Sequence, residues 1–175
     1  MPTVPSAPTL YRLTALTDHG RTLVDNVTAM MQPLLKLRDG KAMDAIKHVK
    51  TLEALLDLAP DALGAAESVW YERVRRLGMG AAPLIAQRLR ATPTIADPNE
   101  RDSVQERLIA ALRWQGGAGA QALRDCFDSL DVYGQSLACT ALGLLGDYVC
   151  ADRVWEFYQT VKRQPESHFV VHYGV

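Results

Sequence analysis

Three stretches of this chain can be laid on one another. They are Val104–Gly116, Gly134–Gly146 and a third ending at Gly174. Ala111-Leu112-Arg113 falls on Ala141-Leu142-Gly143 thirty residues later, and on His172-Tyr173-Gly174 a further thirty-one on. A weaker copy ends at Arg73-Val74-Arg75-Arg76-Leu77-Gly78, and Asp39-Gly40 is a candidate degenerate first copy. A period in this range is the mark of a stacked repeat architecture, because one unit cannot bury its own apolar faces.

The repeating unit is helical. Val24, Val27, Met31, Leu34 and Leu35 follow helical steps, as do Leu52, Leu55, Leu56 and Ala59, then Leu108, Ala111 and Leu112. No segment alternates as a strand would; Phe169-Val170-Val171 is too short to make one. The fold class is therefore all-α. Breaks at Asp39-Gly40, Pro60, Gly78, Thr92 to Pro98, Gly116-Gly117, Gly146 and Pro165 predict helices over 10–17, 20–38, 41–59, 61–77, 80–91, 100–115, 119–129, 132–145, 149–163 and from 167 onward. Ser103-x-x-Glu106 reads as a capping box, and Asp131 as the N-cap of the next helix. Small residues at Ala110, Ala111, Ala138 and Ala141 let helices approach, while Leu112 and Leu142 fill the space between layers. The expected organisation is an extended tail over 1–9, a helical part over 10–60, and repeats over 61–175 with the last incomplete. An incomplete last copy lacks the polar cap that terminal repeats need, which favours a fragment of a longer array.

Several function classes drop out on composition. Nineteen Lys and Arg against 20 Asp and Glu leave a net charge of −1, too even for a chain built to coat phosphates, so nucleic acid is the weaker reading. No run nears the ~18 apolar residues of a spanning helix, and no basic stretch precedes an apolar one as in a secretory signal, so no membrane partner is expected. Cys126, Cys139 and Cys150 are odd in number and lack a Cys-x-x-Cys, as expected of buried thiols in a reducing, cytoplasmic setting.

Thr140-Ala141-Leu142-Gly143-Leu144-Leu145-Gly146-Asp147 resembles the HEAT-repeat family, and within it the short-period, phycobilisome-lyase-type HEAT-like repeats. Their pattern is Val-Arg-x-x-Ala-Ala-x-Ala-Leu-Gly-x-Leu-Gly-Asp. Val104–Gly116 is a fair match, with Arg113 and Gln115 in place of Gly and Leu; Gly134 stands where Val is usual. The likeness is good over roughly 67–175 and poor before it. It implies a right-handed α-solenoid of helix pairs whose second helices line a concave side. Members of the family include scaffolds, chromophore lyases, hydroxylases and DNA-repair glycosylases, and fold alone does not choose among them.

Chemistry-bearing patterns are sparse. His168 and His172 share a helical face, but no His-Glu pair occurs, as the family's hydroxylases would need, and two ligands fall short of a zinc set. Asp125, Asp128 and Asp131 cluster near one turn, where surface and capping roles suffice. No nucleophile elbow or phosphate loop is present, so no catalytic residue, metal ligand or cofactor is assigned. Residues 1–90 carry 12 basic and 9 acidic groups and residues 91–175 carry 7 and 11, with Arg73, Arg75, Arg76, Arg88 and Arg90 clustered. Trp114 and Leu144 occupy one repeat position, and two apolar residues in successive layers would form an exposed stripe.

The expectation that follows is a non-enzymatic scaffold or adaptor, part of a larger assembly. It would bind another protein along the concave face through Gln87, Arg88, Arg124, Asp128, Arg153, Glu156, Gln159, Trp114 and Trp155. The alternatives are a chromophore or cofactor lyase and a nucleic-acid-binding repair protein of the same repeat class.

Overall fold

A computed structural model describes residues 39–78 and 80–163. The expected tail over 1–9, the helices over 10–17 and 20–38, the third repeat copy, His19, His168 and His172 lie outside them. The described chain is all-α. Its helices are α1 (39–48), α2 (Leu52–Asp57), α3 (Ala65–Leu77), α4 (Ala82–Ala91), α5 (Pro98–Arg113), α6 (Gly117–Cys126), α7 (Val132–Leu144) and α8 (Ala151–Val161). Short 3₁₀ turns at Thr92–Thr94 and Phe127–Ser129 follow α4 and α6.

Local chemistry sets most of the ends. Asp131 caps α7 by accepting the Gly134 N–H at 2.9 Å. The start of α5 differs from expectation. Asp97 caps it, accepting from Asn99 N–H at 2.8 Å, and Pro98 takes the first position, where a missing N–H costs nothing. Ser103 consequently lies inside the helix, and its pairing with Glu106 is not a capping box. The predicted helix over 41–59 is two helices. Thr51 turns extended and its hydroxyl accepts the Ala54 N–H, so α2 starts afresh. The left-handed turns fall at Gly64, Gly80, Gly116 and Gly146; Gly78 keeps a negative φ and the turn is made two residues later.

The helices pack in a regular order. α2 lies against α4 and α4 against α6; α3 lies against α5 and α5 against α7. Cross-contacts join α2 to α3, α4 to α5, α5 to α6 and α6 to α7. From α2 to α7 each helix thus packs on its next-but-one. The buried set runs without interruption from Ile46 and Leu55 through Trp70, Ile85, Leu108 and Leu112 to Leu123, Cys126 and Leu142. Leu112 and Leu142, at one repeat position, are both buried, as are Ala111, Ala138 and Ala141.

Gly134, the departure from the family pattern, has a physical reason here. The fully buried Gln105 amide occupies the space a side chain would need, with a Cβ at 134 falling 3.0 Å from its Cδ and Oε1. Gln105 donates to Thr92 Oγ1 at 3.0 Å, and Thr92 donates to the Leu89 carbonyl. A buried amide needs such partners, and the chain of bonds ties α5 to the end of α4.

Candidate interaction surface

The described residues hold no group of three or more His, Cys, Asp or Glu that could bind a metal. No helix among them is long and apolar enough to cross a membrane. His48 is exposed and its Nδ1 lies 2.8 Å from the Asp44 carbonyl, a local helical contact. The three thiols are free and buried. Burial pushes Cys139 from 9.0 up to about 12, helped by the neighbouring Cys150, and pushes Cys126 up to about 11 against the pull of Arg90. These are thiols held neutral, the opposite of an activated nucleophile.

The sign of that shift gives a pH test. The folded protein keeps both protons while the unfolded chain releases them from about pH 9 upward, so the unfolded state binds fewer protons and stability falls with rising pH. The contribution is whole below pH 9 and is lost between 9 and about 11–12. Urea midpoints are expected to decline from pH 9, with a loss on the order of 3–4 kcal/mol per thiol by the upper end. A Cys126→Ala/Cys139→Ala chain should lose that part of the decline. A slope equal in both chains would contradict it.

The second helices of the pairs, α4, α6 and α8, carry most of the residues expected to meet a partner. Between α4 and α6 runs a depression of 310 Å³, floored by Ala82, Ala86, Ala118 and Ala122 and edged by Arg90, Gln121 and Asp125. Gln87, beside it in sequence, and Glu156 on α8 are exposed and unpaired among the described residues, and Gln159 is half-buried. Trp155 is exposed and stacks on Tyr158 at 5.4 Å, with the Lys162 ammonium over both rings. Trp114 is exposed too, but it lies at the turn after α5, edge-on to Tyr71 at 5.1 Å.

The remaining four predicted contacts are engaged within the chain. Arg88 reaches Asp57 at 2.8 Å, tying α4 to α2. Arg124 of α6 pairs with Asp147, whose carboxylate is almost wholly buried. Arg153 of α8 pairs with Asp128 through both carboxylate oxygens, donates to the Arg124 carbonyl at 3.2 Å, and lies over the Phe127 ring. On the other column, Arg107 meets Glu67 at 3.3 Å, Arg101 meets Asp131 at 2.8 Å, and Tyr133 donates to Glu106. Burial, with Glu106 beside it, drives the Tyr133 phenol upward, and Asp102 is raised by burial against the pull of Arg101. Charged pairs thus link helices far apart in sequence along the described chain.

Of the residues that edge the α4–α6 depression, the sequence marks Arg90 and Asp125 within charge clusters but gives no sign of Gln121, nor of Tyr148 and Val149, which are the most exposed large apolar residues described. The turn position of the last two was visible, since they follow Gly146-Asp147 where polar residues are usual. Comparison with protein-family models, with curated proteins and with solved structures finds no match for this chain.

Proposed function

We propose that this chain is a non-enzymatic protein-interaction scaffold. It would be a right-handed α-solenoid of HEAT-like helix pairs, working in the cytoplasm as one part of a larger assembly. The observation that carries the reading is the packing order, in which α2, α4 and α6 stack in one row and α3, α5 and α7 in another, with Arg–carboxylate pairs between sequence-distant elements. Such a stack supports a preformed surface that binds without a large ordering cost. The partner lies along the second-helix side, over the alanine-floored depression and the Trp155–Tyr158 stack.

Charge reversal at Arg88 or Arg124 would test stability along with binding, because both are in such pairs. Gln87→Arg and Glu156→Arg instead change groups that are exposed and unpaired among the described residues. Proteins captured from the native lysate by the unaltered chain are expected to be lost, at least fivefold, from the doubly substituted one with its melting curve unchanged. Full retention of every captured protein would overturn the second-helix surface. A scattering profile of a closed, near-spherical particle would overturn the solenoid.

A further inference from the structure

Five of the seven large apolar residues that are more than a third exposed lie on one edge of the described molecule. Leu77 and Leu144 end α3 and α7, Trp114 caps α5, and Tyr148 and Val149 stand in the turn before α8. Only Val132 and Trp155 lie elsewhere. These are the turns inside successive helix pairs, and the turns touch. The Gly80 N–H donates to Gln115 Oε1 at 3.1 Å, joining the first to the second. A depression of 480 Å³, walled by Gly116 and Gly117 on one side and Tyr148 and Val149 on the other, joins the second to the third. Tyr148 and Val149 are 84% and 83% exposed. A row of apolar groups in water, ending at a socket, is a surface suited to a partner.

The charge on this edge says which kind. Arg113, next to Trp114 and close enough to act on the Tyr71 phenol, is exposed with no ion pair among the described residues. Arg75, in the last turn of α3, is exposed and unpaired as well, whereas Arg76 is taken by Glu72. At the third turn the Asp147 carboxylate is consumed by Arg124, and Asp152 opens α8. The first two turns are therefore positive beside their apolar groups, and the third is not. An anionic membrane would meet Asp152 at the very turn with the most exposed apolar groups, on the half of the chain that carries 7 basic and 11 acidic residues.

We infer that this turn edge is a docking site for an acidic amphipathic segment of another protein, with one bulky apolar side chain in the Tyr148–Val149 socket and carboxylates over Arg113 and Arg75. The inference rests on the scaffold reading only in taking the partner to be a protein. It adds a second surface, apart from the second helices.

Random twelve-residue peptides selected on the immobilised full chain provide the test. The selected peptides are expected to combine Leu, Ile, Phe or Trp with at least two carboxylates. The best of them, made synthetically, should bind at least tenfold more weakly to Tyr148→Ser/Val149→Ser and to Arg113→Glu, and more weakly in high salt. It should bind Gln87→Arg/Glu156→Arg within twofold of the unaltered chain. The altered side chains are exposed, so melting curves should coincide, and Arg113→Glu stands in should the double change disturb the turn. A basic or uncharged consensus, no selected binder, or undiminished binding by the edge variants would overturn the inference. So would sedimentation of the chain with phosphatidylglycerol vesicles that the edge variants abolish, which would assign the edge to lipid. Peptides weakened only by Gln87→Arg/Glu156→Arg would overturn the edge and leave the second-helix surface standing.

Discussion

Trp70→Ala is expected to cost about 3–5 kcal/mol, the range for truncating a large buried aromatic. Trp70 is wholly buried on α3, lies edge-on to Tyr71, and donates its indole N–H to the Leu55 carbonyl at 2.7 Å. It therefore holds α3 to α2 by area and by a directed bond together. The Leu55 carbonyl still accepts from the Leu58 N–H when the indole is gone, so most of the loss comes from the cavity. Against a total stability of about 5–15 kcal/mol, this leaves little margin. Trp70→Phe keeps most of the volume and removes the bond, and should cost about 1–2 kcal/mol. Urea unfolding followed by circular dichroism measures both. Its fluorescence adds a check, because Trp114 and Trp155, the emitters that remain in Trp70→Phe, are exposed and should shift the native emission to the red. A loss under 1 kcal/mol for Trp70→Ala would mean that α2 and α3 are not joined as described.

The repeat spacing carried the helical class and the burial of Leu112 and Leu142, because both depend on which residues recur. It carried the Asp131 cap, because capping is settled within three residues. What it could not carry was anything decided between layers. Arg88, Arg124 and Arg153 read as free surface cations, since their carboxylates at 57, 147 and 128 lie 23 to 31 residues away in sequence. Trp70 carries no such signal, because its copy of the repeat is weak and its partner is a main-chain carbonyl, which no side-chain pattern records. Gly134 departs from the motif for a reason the sequence does not show, since the Gln105 amide occupies the space a side chain there would need. The split at Thr51 was hidden because Leu52, Leu55 and Leu56 continue the period of the preceding helix across it. Of the candidate surface, exposure at Trp114 and Leu144 followed from repeat position and Trp155 was expected from its second helix, whereas the turn edge depends on contacts between turns.

The same contrast governs two glycines, and Gly→Ala should have opposite signs at them. Gly119, in the first turn of α6, is buried, and a Cβ there would overlap the Leu112 carbonyl oxygen and fall 3.2 Å from the Gln115 Cβ. The oxygen is backbone and cannot rotate aside, so α5 and α6 would have to separate. Overpacking of this kind costs about 1–3 kcal/mol, and it should exceed the ~1 kcal/mol that alanine gains over glycine in a helix. A net destabilisation of about 1–2 kcal/mol is expected. Gly143, inside α7, has nothing within 4 Å of its added Cβ, and Arg113 fills the matching position one repeat earlier. There the helix term acts alone, and Gly143→Ala should stabilise by up to ~1 kcal/mol. Paired urea titrations decide it. Two stabilised variants would show that α5 and α6 lie farther apart than described. Two destabilised ones would show that the α7 surface at 143 is covered.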